Sequence, residues 1–220
     1  SIREGEILGL VGPNGAGNSS RLNLISGVHR PDSGGIYLNT EDITRRSLDA
    51  VCKRGIAKTF QHPLSFPGLT ACEGVTISAL YGNGHRPTMK EARGEAEDCL
   101  KMVGFPDAKL DYPLKNLNAI ELRRTQLARA LASRPRILLL DELTTGLTPQ
   151  EGTEAMNLIR NIRGEGITIL MIEHVMRIIM GVSDRVVVLD QGAKIADGTP
   201  EEVATDERVI DSYLGERIAV

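Results

Sequence analysis

The chain has 220 residues, 41% of them hydrophobic and 25% charged, which suffices for one sizeable α/β domain with a full core and leaves two independent domains cramped. A formal net charge of −3 argues against a surface built to hold nucleic acid. Three widely spaced cysteines, Cys52, Cys72 and Cys99, with no CxxC pair, point to reduced thiols in a cytosolic protein rather than to a disulfide framework or a zinc site.

No apolar run approaches the ~18 residues that span a bilayer, and the residues from Ser1 to Glu6 lack the apolar core of a signal peptide. Direct membrane insertion is therefore not expected, and work at a membrane would need another chain as anchor. Because Ser1 stands only a few residues before the first core strand, an N-terminal strand region is expected to precede it.

The apolar run Ile7–Val11 predicts a buried strand, and Leu22, Ile25 and Val28 predict an amphipathic helix a few residues on. Between them lies Gly12-Pro13-Asn14-Gly15-Ala16-Gly17-Asn18-Ser19-Ser20, which has the spacing of a phosphate-binding loop. Glycines at 12, 15 and 17 let the backbone turn its N–H groups inward, and the helix begins with its positive dipole end at the same hollow. A polyphosphate fits such a place. In the usual pattern, G-x-x-x-x-G-K-[ST], a lysine reaches the β- and γ-phosphates and the next hydroxyl binds magnesium. Asn18 stands where that lysine belongs. It can donate a neutral hydrogen bond but brings no charge, and losing one such donor costs about 2.7–4 kcal/mol of transition-state stabilisation. Ground-state binding suffers less, because backbone N–H groups and the metal supply much of it.

Pro31–Gly35 predicts a turn, Ile36–Leu38 a short strand, Ser47–Arg54 a helix ended by Gly55, and Ile56–Phe60 a strand with Gln61 at its tip. Pro63 and Pro67 mark an irregular loop. Thr70–Val103 reads as helical with breaks at Gly82–Gly84 and Pro87, and a further helix follows Asn116 until Pro135. Ile137–Glu142 is an apolar strand ending in two carboxylates; Pro149–Arg163 is a helix; Ile167–Ile172 is a buried strand with Glu173 and His174 at its end. After another helix come strands at Arg185–Leu189 and Lys194–Ala196 and one polar C-terminal helix. Apolar strands alternating with helices imply an α/β fold with a mainly parallel sheet flanked by helices. The order divides the chain into a phosphate-loop part (1–66), a helical subdomain (67–135), and a core return with the C-terminal helix (136–220).

In open parallel sheets, ligands gather at the carboxyl ends of the strands, and the polar residues of this sequence fall there. Asp141 is placed to hold magnesium through water, with Ser19 as a direct hydroxyl ligand and Gln61 as a candidate oxygen ligand, a hard-oxygen set suited to that ion. Glu142 is the candidate to polarise an attacking water, and His174 to sense the γ-phosphate.

These ordered motifs, together with Thr145-Gly146-Leu147-Thr148-Pro149, resemble the nucleotide-binding ATPase subunits of ABC transporters over essentially the whole chain. Ile25-Ser26-Gly27, Pro31-Asp32-Ser33-Gly34, Gly55–Gln61 and Ser212-Tyr213-Leu214-Gly215-Glu216 are similar to the ATPases of branched-chain amino acid uptake systems. The resemblance implies an ABC-type P-loop NTPase that converts ATP and water to ADP and phosphate with Mg2+. It implies nucleotide binding by Gly12, Asn14, Gly15, Ala16, Gly17, Asn18, Ser19 and Ser20, and catalysis by Glu142, His174 and Gln61. It also implies pairing with a second ATPase subunit, identical or not, on membrane permease subunits at the cytoplasmic face of the cell membrane, with Gln61–Leu69 gripping the permease.

The chain departs from the family's pattern at Asn18, at Leu143 where a proline is usual, and at Leu117-Asn118-Ala119-Ile120-Glu121 in place of the Leu-Ser-Gly-Gly-Gln signature. Ile120 replaces a glycine that permits close backbone approach to the partner's γ-phosphate, and Glu121 is expected to add unwelcome charge. The expectation is an importer ATPase subunit with impaired hydrolysis; the alternative is a catalytically dead nucleotide-sensing or structural subunit. An ABC-type ATPase of DNA repair or translation would need an inserted coiled coil, zinc cysteines or a tandem second unit.

Overall fold

The structure, a computed structural model, describes residues 1–13, 15–60, 66, 68–82, 84 and 86–214. Two compact units form: Ser1–Leu24 with Leu140–Val220, and Ile25–Leu139.

The first unit is built on strand β1 (Ile7–Val11), buried along its whole length. It pairs in parallel with β6 (Thr168–Ile172) on one side and with β7 (Arg185–Asp190) on the other, Leu10 standing opposite Ile172 and Val187. Strand β8 (Ala193–Gly198) returns antiparallel to β7. Strand β5 (Ile137–Asp141) begins in the second unit, and its last two residues belong to the first beside β6, where the Glu142 N–H donates to the Ile172 carbonyl at 3.0 Å. Such strands read as unbroken apolar runs because helices cover both faces of a parallel sheet, so alternation would bury polar side chains. Helix α1 (Asn18–Ile25) follows β1, α6 (Pro149–Gly164) follows β5, and α7 (Met176–Val182) follows β6. Among the described residues, two short helices follow β8, α8 (Pro200–Ala204) and α9 (Glu207–Leu214), where one was expected.

In the second unit, β2 (Tyr37–Leu38) and β3 (Glu41–Asp42) form a two-stranded antiparallel ribbon, and β4 (Ile56–Lys58) pairs in parallel with β5. After α2 (Leu48–Cys52), three longer helices make the helical region: α3 (Ala71–Tyr81), α4 (Met89–Met102) and α5 (Ala119–Ala132). Each starts at a reciprocal cap, Thr70 with Glu73, Thr88 with Glu91 and Asn118 with Glu121, in which the cap side chain takes an N–H from the third helical residue and that residue's carboxylate takes the cap's own N–H. Alanines at 71, 79, 92, 96, 128 and 130 are buried on the facing sides, so the helices pack on small side chains. All three cysteines are free thiols. Among the described residues, no helix is long and apolar enough to cross a membrane.

Candidate functional site

The loop after β1 is held from behind. A Cβ on Gly12 would lie 2.2 Å from the Leu189 carbonyl oxygen and 2.8 Å from the Ala16 Cβ, so only glycine lets the chain leave the strand against β7. Two further contacts come from the β7–β8 turn: the Gly192 N–H donates to the Ala16 carbonyl at 3.2 Å, and Arg21 Nη2 donates to the Gly192 carbonyl at 2.6 Å. Tyr213 of α9 takes a hydrogen bond from the Gly12 N–H, although burial still keeps its hydroxyl above the usual phenol range. On the opposite side the loop is open. Gly15 and Gly17 have φ of 84° and 94°, and a Cβ on either would meet nothing within 4 Å. This cradle faces the first turn of α1, where N–H groups lack helical acceptors, and it has the shape and polarity that a phosphate chain requires.

Asn18 lies in that first turn, 8% exposed, and its Oδ1 has no hydrogen-bond partner. A buried amide left unsatisfied costs about 1–3 kcal/mol, and a bound magnesium–phosphate group offers the missing partner, because the amide can present either its oxygen or its N–H2. Ser19 is half-buried beside it and Ser20 is exposed. Asn14, also predicted to bind nucleotide, lies outside the described residues, as does Gln61.

The carboxyl ends of β5 and β6 bring the acids and the histidine into the same unit. Asp141 is buried at the end of β5. Glu142 adopts a φ of 51°, a left-handed conformation uncommon outside glycine, and its Oε1 lies 3.0 Å from His174 Nε2. Thr145 Oγ1 donates to the other carboxylate oxygen at 3.4 Å. The histidine ring is half exposed while the Glu142 carboxylate is nearly covered, so a reactant can approach the pair from the histidine side. Among the described residues no group of three or more His, Cys, Asp or Glu could hold a metal ion. An ion here would take its ligands from hydroxyl, carboxylate and phosphate oxygens, which suits magnesium.

Sequence reasoning missed Arg21, Tyr213 and Glu173. Arg21 bonds a residue 171 positions away, for which no local spacing exists. Glu173 is 3% exposed, and both its oxygens accept hydrogen bonds from Thr144. Burial pushes its carboxyl above the ordinary range, and repulsion by Glu142 adds to that.

The family model for ABC transporters matches residues 1–145. The chain belongs to the ABC transporter ATP-binding family. A second model, for the branched-chain amino acid ATP-binding cassette transporter, matches residues 193–219 of this ABC chain. The high-affinity branched-chain amino acid transport ATP-binding protein LivG of Salmonella typhimurium is 35% identical, over 98% of this chain and 89% of that protein. Among solved structures, a nucleotide-free ATP-binding cassette from an ABC transporter has a TM-score of 0.87 at 26% identity, covering 98% of this chain and 90% of that one. A dimeric bacterial ABC transporter cassette has a TM-score of 0.83 at 27% identity, covering 91% and 88%.

In this ABC chain the segment Leu117–Glu121 lies in the second unit, at the start of α5. Asn118 caps the helix as a serine would. The Glu121 carboxylate, expected to add unwelcome charge, has partners within the chain: Oε1 pairs with Lys109 Nζ at 2.6 Å and Oε2 accepts the Asn118 N–H at 3.1 Å. The hydrogen bond from Lys109 holds that carboxyl below its usual range, against the effect of burial.

Proposed function

We propose that this ABC ATP-binding subunit serves an importer of branched-chain amino acids, binds Mg-ATP in the loop from Gly12 to Ser20, and hydrolyses it slowly because Asn18 replaces the lysine. The observation that carries this reading is the open loop with a buried amide oxygen, Asn18 Oδ1, that lacks a hydrogen-bond partner at the lysine position. In this reading the N–H groups of the loop and of the first α1 turn hold the phosphates. Ser19, Asp141 and Gln61 would hold the magnesium, which when bound neutralises phosphate charge. Glu142 orients the attacking water and takes up its proton, and His174, hydrogen-bonded to Glu142, holds that carboxylate in place and meets the γ-phosphate. Asn18 offers at most a neutral amide to the charge that develops in transfer, so binding survives better than turnover.

The relatives support the transport role. The LivG likeness and the C-terminal match at residues 193–219 favour a branched-chain amino acid system, and the dimeric cassette favours pairing with a second subunit, identical or not. Permease subunits then anchor the pair at the cytoplasmic face of the membrane.

Equilibrium binding of Mg-ATP to the purified chain, with ADP as comparator, tests the reading. Asn18→Lys is expected to tighten Mg-ATP about tenfold or more, the worth of one charge-assisted hydrogen bond. Turnover is expected to stay low until Asn118, Ala119 and Ile120 are also changed to Ser-Gly-Gly; full turnover from Asn18→Lys alone would remove the signature from the account. A second reading, a catalytically dead structural or nucleotide-sensing subunit, is favoured by Ile120 at the signature, and failure of the parent chain to bind Mg-ATP would establish its structural form.

A further inference from the structure

Glu173 is a buried acid that the proposed reaction does not use. It follows β6 directly and precedes His174. Its Oε1 accepts the Thr144 N–H at 2.9 Å, its Oε2 accepts the Thr144 hydroxyl at 2.7 Å, and the Leu143 N–H adds a third bond. Thr144 is 1% exposed, so water cannot replace these partners.

What the contacts restrain is the turn after β5. Between Asp141 and Thr144 the chain must pass through Glu142 at a φ of 51°, and a left-handed non-glycine residue persists only where its surroundings over-determine it. Two sets of bonds do so. On one side of the strained residue the Glu142 N–H donates to the Ile172 carbonyl at 3.0 Å; on the other, Leu143 and Thr144 donate to Glu173. Both acceptors lie on the segment that continues into His174, so the same two segments that meet through Glu142 and His174 at 3.0 Å are fastened on either side of Glu142. A buried carboxylate is a costly way to satisfy one threonine, since a neutral acceptor would avoid desolvating a charge. Its use here is explained by its ability to take three donors at once, which no neutral side chain of that length does.

We propose that Glu173 is the positioning residue of the Glu142–His174 pair: by holding Leu143 and Thr144 it keeps Glu142 in its left-handed conformation and fixes where that carboxylate stands against the imidazole. Its effect on hydrolysis rests on the reading of Glu142 as the group that orients water; the geometric role does not.

The test compares Glu173→Gln, Thr144→Val and Thr144→Ser at one fixed pH, with Glu142→Gln as the reference for a disturbed pair. Thermal unfolding establishes that each variant folds. The His174 ring resonances in a 1H–13C spectrum report the contact with Glu142, and hydrogen exchange of the Glu142 amide reports the turn. Glu173→Gln and Thr144→Val are expected to move the His174 signal toward its position in Glu142→Gln and to speed Glu142 exchange by roughly tenfold or more. Thr144→Ser, which keeps the hydroxyl, is expected to restore the parent spectrum. If Glu173→Gln does not fold, the Thr144 pair decides the matter. A His174 signal unmoved in a folded Glu173→Gln or Thr144→Val chain overturns the proposal. A moved signal with unchanged turnover in the assembled transporter supports the positioning role and removes Glu142 from the chemistry instead.

Discussion

Gly12 and Arg21 hold the loop after β1 by different means, and their variants separate those means. Gly12→Ala would place a methyl group 2.2 Å from the Leu189 carbonyl oxygen, and backbone on both sides must move to admit it. Overpacking of this kind costs about 1–3 kcal/mol. The part of that cost taken up by moving the loop is expected to appear as weaker Mg-ATP binding, which titration calorimetry reads. Unchanged affinity and an unchanged unfolding midpoint together would show that the Leu189 contact yields freely. Arg21→Leu removes one charge-assisted bond to Gly192 at a site open to solvent, where such bonds are worth about 1 kcal/mol or less. The expected result is a nearly unchanged unfolding midpoint, faster hydrogen exchange from Ala16 to Ser19, and a severalfold loss of nucleotide affinity.

At the scale of elements, α5 shows how a reciprocal cap starts a helix. Asn118 Oδ1 accepts the Glu121 N–H at 2.9 Å, and Glu121 returns a bond to the Asn118 N–H. Asn118→Ala is expected to cost about 1 kcal/mol of stability, while Asn118→Ser costs little because serine caps equally well; urea unfolding of the two variants checks this. Equal losses would show that the cap is not what starts the helix. The same reciprocal cap, Thr-x-x-Glu, starts α3, α4, α6 and α8. What was legible in the sequence was the helical pattern of α3, α4 and α6 bounded by Gly and Pro, and the unbroken apolar runs of β1, β5 and β6. The ribbon of β2 and β3 was only half legible, because strands of two residues are too short to carry a period and both residues of β3 are exposed and acidic. The break between α8 and α9 was missed because Thr205-Asp206 reads as polar helix until the Val209 N–H is found on the Asp206 carbonyl. At the site, Asp141, Glu142 and His174 stood out as polar residues ending apolar strands. Glu173 stood beside them without a legible role, since its partner Thr144 comes from another turn.

Across the first unit, the two ends of the sheet are built for different purposes. The carboxyl ends of the parallel strands carry the open loop and the strained Glu142, whereas the opposite edge is tied by charge. There Arg185 on β7 bonds Glu6 at 2.8 Å, Asp197 at 2.7 Å and the Ser1 carbonyl at 2.6 Å, and Asp184 accepts the Ile7 N–H at 2.8 Å. Burial alone would raise the Glu6 carboxyl, but Arg185 and the Arg3 N–H outweigh it and hold it below its ordinary value of 4.5. Asp197 is held low by Lys194 and, against burial, by Arg185. A carboxyl whose folded value is depressed contributes stability that is present above its unfolded value and lost as the pH falls through the folded one. The rigid edge should therefore loosen in acid, below about pH 4.5. Arg185→Gln is expected to destabilise the chain at pH 7 by about 2–3 kcal/mol, between the worth of an exposed pair and a buried one. As the pH falls from the ordinary carboxylate range through the depressed values of Glu6 and Asp197, the gap between the two proteins should narrow, although Glu41, Asp42 and Asp49 give both a common acid slope. Urea unfolding of both at pH 7 and pH 3 measures the difference directly. A gap that persists undiminished at pH 3 would mean that Arg185 acts by packing and by its bond to Ser1, leaving the sheet's far edge held without the help of its charges.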